Sequence, residues 1–304
     1  MIQNMPLVDF HMHFPVQGDW FPDYDMPGKV EFDSIGSRDH GETWRKAFNF
    51  PHQEAAKTDA EMAKIYSEDL IKKGVDRAFF VSGGGNDRLA SIVNMYPKQF
   101  VGFAHHHPDS PNAAQELEHA LGDLKLKGYK LLGPLVDTNL SDPKYYPLWE
   151  ICQHYNVPVL IHFGLLGAAG GTPDGENISP MSIAKVSRAF PQLNFVVPHF
   201  GCTHIEDLLQ VCWTRPNVYV DTSGSNQWVR WMPYPLTLEN IITKFVQTVG
   251  PGRILFGSDS SWMPRGFASI YLEEQHKAFR FMNLDDNEME LIFSKNALRL
   301  IGEA

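Results

Sequence analysis

Eight short, continuous apolar runs recur along the 304-residue chain, each closed by a polar or glycine-bearing turn. They are Leu7–Phe10, Arg77–Ser82, Phe100–Ala104, Gly128–Leu132, Val157–Ile161, Asn194–Pro198, Asn217–Asp221 and Arg253–Gly257. Unbroken rather than alternating hydrophobicity suits parallel strands covered on both faces. The gaps carry the longer period of helices. Thr58 and Glu61 form a capping box before Met62, Ile65, Tyr66 and Leu70, and Leu89, Ile92, Val93 and Tyr96 repeat the spacing until Pro97. Ser110-Pro111 and Ser179-Pro180 read as N-caps followed by proline, and Thr203 with Glu206 as a second capping box. Gly250 is placed to end a helix carrying Leu238, Ile242, Phe245, Val246 and Val249. Strands alternating with helices predict a parallel sheet. Eight such units predict an α/β (β/α)8 TIM barrel, a single domain over residues 1–304.

Two segments break the rhythm. Residues 14–56 separate the first strand from its helix and carry Phe14, Trp20, Phe21, Tyr24, Phe32, Trp44, Phe48 and Phe50. A connection of that length is usually functional, which makes it a lid or an interface arm, and the arm makes a homodimer plausible. The chain also continues past the eighth strand through two helical patterns ending in Leu291–Ile301. Ser82-Gly83-Gly84-Gly85 is a glycine-rich strand-to-helix turn, but it lacks the lysine of a phosphate-binding loop and reads first as a turn.

Composition narrows the function classes. A net charge of −10 argues against a nucleic-acid or anionic-membrane surface. Three cysteines, Cys152, Cys202 and Cys212, are odd in number and lack C-x-x-C spacing, so they read as reduced core thiols. The opening MIQNMPLVDF has no signal-peptide pattern, and the most apolar stretch, Val157–Gly170, is too short and glycine-rich to span a bilayer. A cytoplasmic enzyme acting on a small molecule is the expectation.

In a barrel of this kind, chemistry gathers just after the strand C-termini. His11 and His13 follow the first strand in VDFHMH, and alternation points residues i and i+2 the same way. His162 ends the fifth strand, His199 the sixth, and Asp259 the eighth. A lone histidine in an apolar run is usually structural. Several imidazoles and a carboxylate, all at strand ends, instead suggest a divalent cation, Zn2+ first, with Mn2+ or Fe2+ as alternatives. Lys130 on the fourth strand, His105 after the third, and Trp262 and Arg265 after the eighth are candidates to meet the substrate; Arg265 would pair with a carboxylate.

These residues resemble the amidohydrolase superfamily. The likeness runs through VDFHMH, KKGVDRAFFVS, YPKQFVGFAHHHP, IHFG, PHFG, FGSD and KNALRLIG. It is closest to the amidohydrolase-related branch that holds aminocarboxymuconate-semialdehyde decarboxylase, γ-resorcylate decarboxylase and pyrone-dicarboxylate lactonase. The resemblance implies that His11, His13, His162 and Asp259 ligate one metal ion. It implies that His199 is the non-ligand or weakly ligating catalytic histidine; on chemical grounds Asp259 can also accept a proton from metal-bound water. Lys130 matches the strand-four lysine that bridges two metals in binuclear members, although this branch is mostly mononuclear. The leading expectation is a metal-dependent hydrolase of an amide, ester or lactone. The alternative is a non-oxidative, metal-dependent decarboxylase of an aromatic or unsaturated carboxylic acid. A third reading, an inactive barrel kept as a binding module, predicts missing ligands, and none is missing.

Overall fold

The computed structural model describes residues 5–16, 42, 45–55, 57–164 and 175–303. Most of the 14–56 insertion, including Trp20, Phe21, Tyr24, Phe32 and Trp44, lies outside them, so the lid or interface-arm expectation does too.

Eight parallel strands form the centre: β1 Val8–His13, β2 Arg77–Ser82, β3 Phe100–Gly102, β4 Tyr129–Leu132, β5 Val159–His162, β6 Phe195–Val197, β7 Val218–Asp221 and β8 Ile254–Leu255. Their ladders run β1-β2-β3 and β4-β5-β6-β7-β8. Two junctions join these arcs. Ala104 bridges to Tyr129 between β3 and β4, and Met12 bridges to Ser260 between β1 and the chain leaving β8. The hydrogen bonds Lys130 N–Ala104 O, 2.7 Å, and Phe10 N–Phe256 O, 3.0 Å, complete the circle. The fold is a (β/α)8 barrel.

Helices α1 (Asp59–Lys73), α2 (Asn86–Val93), α3 (Ala113–Gly122), α4 (Tyr146–His154), α5 (Val186–Ala189), α6 (Ile205–Thr214), α7 (Leu238–Val249) and α8 (Ser269–Phe281) cover the outside. Thr58 caps α1 through the expected capping box. The Thr203 expectation is corrected: α6 begins after His204 with no side-chain cap, because Thr203 still lies in the left-handed turn that follows β6. Likewise α3 starts at Ala113 rather than at Pro111. α7 carries a capping box absent from the expectation, Thr237 with Asn240.

Val8, Phe10, Phe79, Val81, Val101, Phe103, Leu160, Val196 and Leu255 fill the barrel interior. Phe10 meets Phe79 and Phe103 at ring-centroid distances of 5.3 and 5.6 Å. Truncating such a ring to alanine costs about 3–5 kcal/mol. Ala297, Leu300 and Ile301 of the closing segment join the same cluster, and Asn296 Nδ2 ties that segment to the carbonyls of Pro251 and Ile254 at the start of β8. The N-terminal end of the barrel is thereby plugged, and the C-terminal end is left for the site. None of the helices among the described residues is long and apolar enough to cross a membrane.

Candidate metal centre

β1 does not keep a simple alternation. Val8 and Phe10 pack inside the barrel, so strict alternation would turn His11 and His13 outward. Instead the register with β2 slips: Asp9 faces Ala78, Met12 faces Phe80 and His13 faces Ser82. The extra residue swings Met12 into the outer core and both imidazoles into the barrel mouth. Buried Asp9 fastens the irregular stretch, accepting from the amides of His11 (3.1 Å) and Ser258 (3.0 Å) and from the Ser258 hydroxyl. Burial pushes its pKa up to about 7 against those three donors.

His11 Nε2 lies 3.3 Å from His13 Nε2, His13 Nε2 lies 3.1 Å from Asp259 Oδ1, and His11 Nε2 lies 3.7 Å from that oxygen. Each ring is aimed by its other nitrogen. His11 Nδ1 donates to Asp221 Oδ2 at 2.6 Å, and His13 Nδ1 contacts Ser82 Oγ at 2.7 Å. His199 Nδ1 donates to the Ser223 carbonyl at 2.9 Å. The His199 ring stands 5.2 Å from that of His11 and 5.0 Å from that of His162. His11, His199 and Asp259 each offer a ligand atom within 4.8 Å of the other two. Gly224 and Gly257 allow this crowding. A Cβ at Gly224 would meet Asp259 Oδ2 at 3.3 Å, and one at Gly257 would meet His11 Cβ at 2.8 Å.

The donor set fits a cation. Lone pairs crowded at 3.1–3.7 Å repel unless a positive charge sits among them. Ligand–ligand edges near about 3.3 Å are what metal bonds of about 2.0–2.2 Å produce. His162 Nε2 is buried with no hydrogen-bond partner, a state that native structures avoid without cause. Burial keeps the imidazoles in the neutral form that metals bind: His11 is lowered to about 4 and His162 well below its ordinary value. Burial raises Asp259, but His199, His13 and His11 outweigh it and hold the carboxylate well below its usual range. Its side chain stays 37% exposed, the one strongly accessible acid of the cluster.

Lys130 pairs in register with Leu160, and Leu160 with Val196, so it occupies an inner row that its neighbours fill with aliphatic side chains. Burial brings its ammonium down to about 7 against the pull of Asp259 and Asp221, and its charge depresses His11, His13 and His162. The other candidates sit differently. His105 is spent on the backbone: Nε2 accepts from the amides of Gly83 and Gly85, both at 3.0 Å, and Nδ1 donates to Phe103 O at 3.1 Å. With both nitrogens committed, the ring anchors the glycine turn. Arg265 turns beneath the site and donates from Nη2 to Asp259 O at 3.0 Å, with Trp262 stacked on its guanidinium. Asp9 and Ser82 were not picked out from the sequence; the only signal was their position two residues before His11 and at the end of β2.

The amidohydrolase family profile matches residues 8–302. The chain belongs to the amidohydrolase family. A stretch of 78 residues is 31% identical to 2-amino-3-carboxymuconate-6-semialdehyde decarboxylase of Dictyostelium discoideum, covering 25% of this amidohydrolase and 22% of that protein. The match thus spans about a fifth of that relative's length. Among solved structures, 5-carboxyvanillate decarboxylase of Novosphingobium aromaticivorans, complexed with manganese and 4-hydroxy-3-methoxy-5-nitrobenzoic acid, aligns with a TM-score of 0.62 at 15% identity. That alignment covers 99% of this chain and 97% of that one. A probable 2-pyrone-4,6-dicarboxylic acid hydrolase of Acinetobacter baumannii aligns with a TM-score of 0.62 at 16% identity, over 98% and 100% of the two chains. At these identities the likeness establishes the barrel.

Proposed function

We propose that this amidohydrolase is a non-oxidative, metal-dependent decarboxylase of a small aromatic or unsaturated carboxylic acid. The observation that carries the reading is the convergence of His11, His13 and Asp259 within 3.1–3.7 Å, with the unbonded Nε2 of His162 and buried Lys130 in the same cluster. The relative of partial sequence likeness is a decarboxylase, and so is the manganese-bound structural neighbour, which supports this reading over the hydrolase expected first.

His11, His13, His162 and Asp259 would hold one divalent ion, zinc or manganese, with His199 at its edge. When bound, the ion would draw electron density from the substrate carboxylate and an adjacent oxygen. Lys130 adds positive charge that favours an anionic substrate over a neutral one. The reaction then needs a proton at carbon. The breaking C–C bond leaves its electron pair on the ring or alkene carbon, CO2 departs, and the proton joins that carbon. His199 is built to supply it: Nδ1–H is fixed on the Ser223 carbonyl, so protonation occurs at Nε2, toward the cavity. The partly exposed edge of the cluster at Asp259 leaves a path for the replacement proton to reach His199 from solvent.

The second reading is hydrolysis of a lactone or ester by the same groups, and the pyrone-dicarboxylate hydrolase among the structural neighbours favours it. Hydroxybenzoates, aminocarboxymuconate-type acids and pyrone lactones are to be incubated with metal-loaded protein while CO2 and 18O incorporation are followed. CO2 release without 18O in the organic product supports decarboxylation. 18O uptake into a new carboxylate, with no CO2, overturns it in favour of hydrolysis.

A further inference from the structure

Asp259 carries a backbone φ of +56°, in the left-handed region that costs a non-glycine residue about 1–2 kcal/mol. That conformation aims the carboxylate at His13, and both main-chain groups of Asp259 are fastened. Its amide donates to His11 O at 2.8 Å, and its carbonyl accepts from Arg265 Nη2 at 3.0 Å. The same Nη2 contacts Ser260 Oγ at 3.3 Å. The guanidinium is in turn enclosed by aromatic faces. Its central carbon lies 4.4 Å from the ring centroid of Trp262, 5.0 Å from Phe50 and 5.7 Å from Tyr271. Phe50 belongs to residues 45–55, the return leg of the insertion between β1 and α1. That leg is tied to the β8 exit loop by Glu54 N–Met263 O at 3.0 Å, and internally by Arg45 Nη1–Phe50 O at 2.6 Å.

We infer that Arg265, clamped by Phe50, is a positioning residue for Asp259, so that the return leg of the insertion sets the affinity of the centre for its cation. The inference rests on the reading of Asp259 as a metal ligand. A planar guanidinium can stack between rings and still present an in-plane N–H to a carbonyl; a lysine ammonium has no such plane. Arg265 does not touch the cation position. It acts through the Asp259 main chain, and partners at that remove typically move metal affinity about 10–100-fold.

The test titrates chelator-stripped full-length protein with Mn2+, followed by the electron paramagnetic resonance of free Mn2+, and with Zn2+ against a fluorescent chelator. Wild type, Arg265→Met, Arg265→Lys, Phe50→Ala and Asp259→Asn are compared, and thermal unfolding of each metal-free form is recorded. Arg265→Met is expected to weaken binding about 10–100-fold with stoichiometry unchanged. Phe50→Ala should shift affinity the same way by less, and Arg265→Lys should recover only part of the loss. Arg265→Met or Phe50→Ala variants that melt earlier yet bind as tightly as wild type give Arg265 a purely structural role and overturn the inference alone. Should Arg265→Met not fold, Phe50→Ala and Arg265→Lys decide the matter by the same affinity criterion. A wild-type chain that takes up neither ion overturns the inference and the proposed function together.

Discussion

His11 Nδ1 and Asp221 Oδ2 are 2.6 Å apart, and both groups are buried. A carboxylate only accepts, so the proton of a neutral His11 sits on Nδ1 and the lone pair of Nε2 is left facing His13 and Asp259. The pair therefore fixes a tautomer as well as a ring orientation. Replacing Asp221 with Asn keeps the shape but lets the amide NH2 face Nδ1, which favours the opposite tautomer. Asp221→Asn is expected to weaken divalent binding about 10–100-fold, measured by chelator competition. Unchanged affinity would mean that the ring is aimed by packing alone.

His162 gives a prediction of opposite signs. Its Nε2 is buried and lacks a hydrogen bond, a state worth about 1–3 kcal/mol of lost stability. A leucine of comparable reach removes the orphan atom and the donor together. His162→Leu is expected to melt higher than wild type without metal, while its bound-metal content falls well below one ion per chain. Calorimetry in chelator and elemental analysis read the two effects separately. A variant that melts lower without metal would show that Nε2 is satisfied in solution.

Part of the acid sensitivity of the metal-free protein should come from the third strand's exit, beside that of buried His11 and His162. Burial lowers His105 to about 4, and His106 likewise, each against one backbone hydrogen bond. In the unfolded chain both titrate near the ordinary value of 6.5. Between those values the unfolded state binds protons that the folded state refuses, so stability falls as pH drops from about 6.5 to about 4. His106 also stacks on Tyr129 at 4.9 Å, which makes glutamine a gentler replacement than alanine. His106→Gln should make the metal-free stability profile less steep across that window, with the remaining slope left to His105, His11 and His162. Denaturant midpoints at pH 4.5, 5.5 and 7 check it, and an unchanged slope would sink the assignment.

The barrel was legible because each parallel strand is buried on both faces and so reads as an apolar run; the eight runs and the observed strands differ mainly at their ends. The strand-end histidines were legible for the same reason, since a polar residue closing such a run has few neutral explanations. What did not show was the path of the chain between those points. The slip at Phe10–His11 depends on the register of β2 against β1, a long-range fact that alternation within β1 cannot reveal. His105 and Arg265 were placed by proximity in sequence to strand ends, but side-chain direction after a strand is set by turn geometry. His105 turns back to Gly83 and Gly85, and Arg265 runs under Asp259 toward Phe50. Thr203 fails as a cap because residues 199, 200, 202 and 203 all hold positive φ, a strained turn that packs His199 against Ser223.

That turn makes His199 the residue whose role can be separated most sharply. It is close enough to His11 and Asp259 to be a ligand, and its Nδ1–H is tied to a carbonyl, which leaves Nε2 free either to ligate the ion or to carry a proton. The two roles predict different losses. A ligand removed costs metal; a proton carrier removed costs turnover. We expect His199→Gln to retain one divalent ion per chain with affinity within a few-fold of wild type. Its kcat for decarboxylation should fall about 10²–10⁴-fold, with KM for the carboxylate little changed. Loss of the ion in step with activity would instead make His199 a fifth ligand, and the proton would then have to come from another group or from solvent.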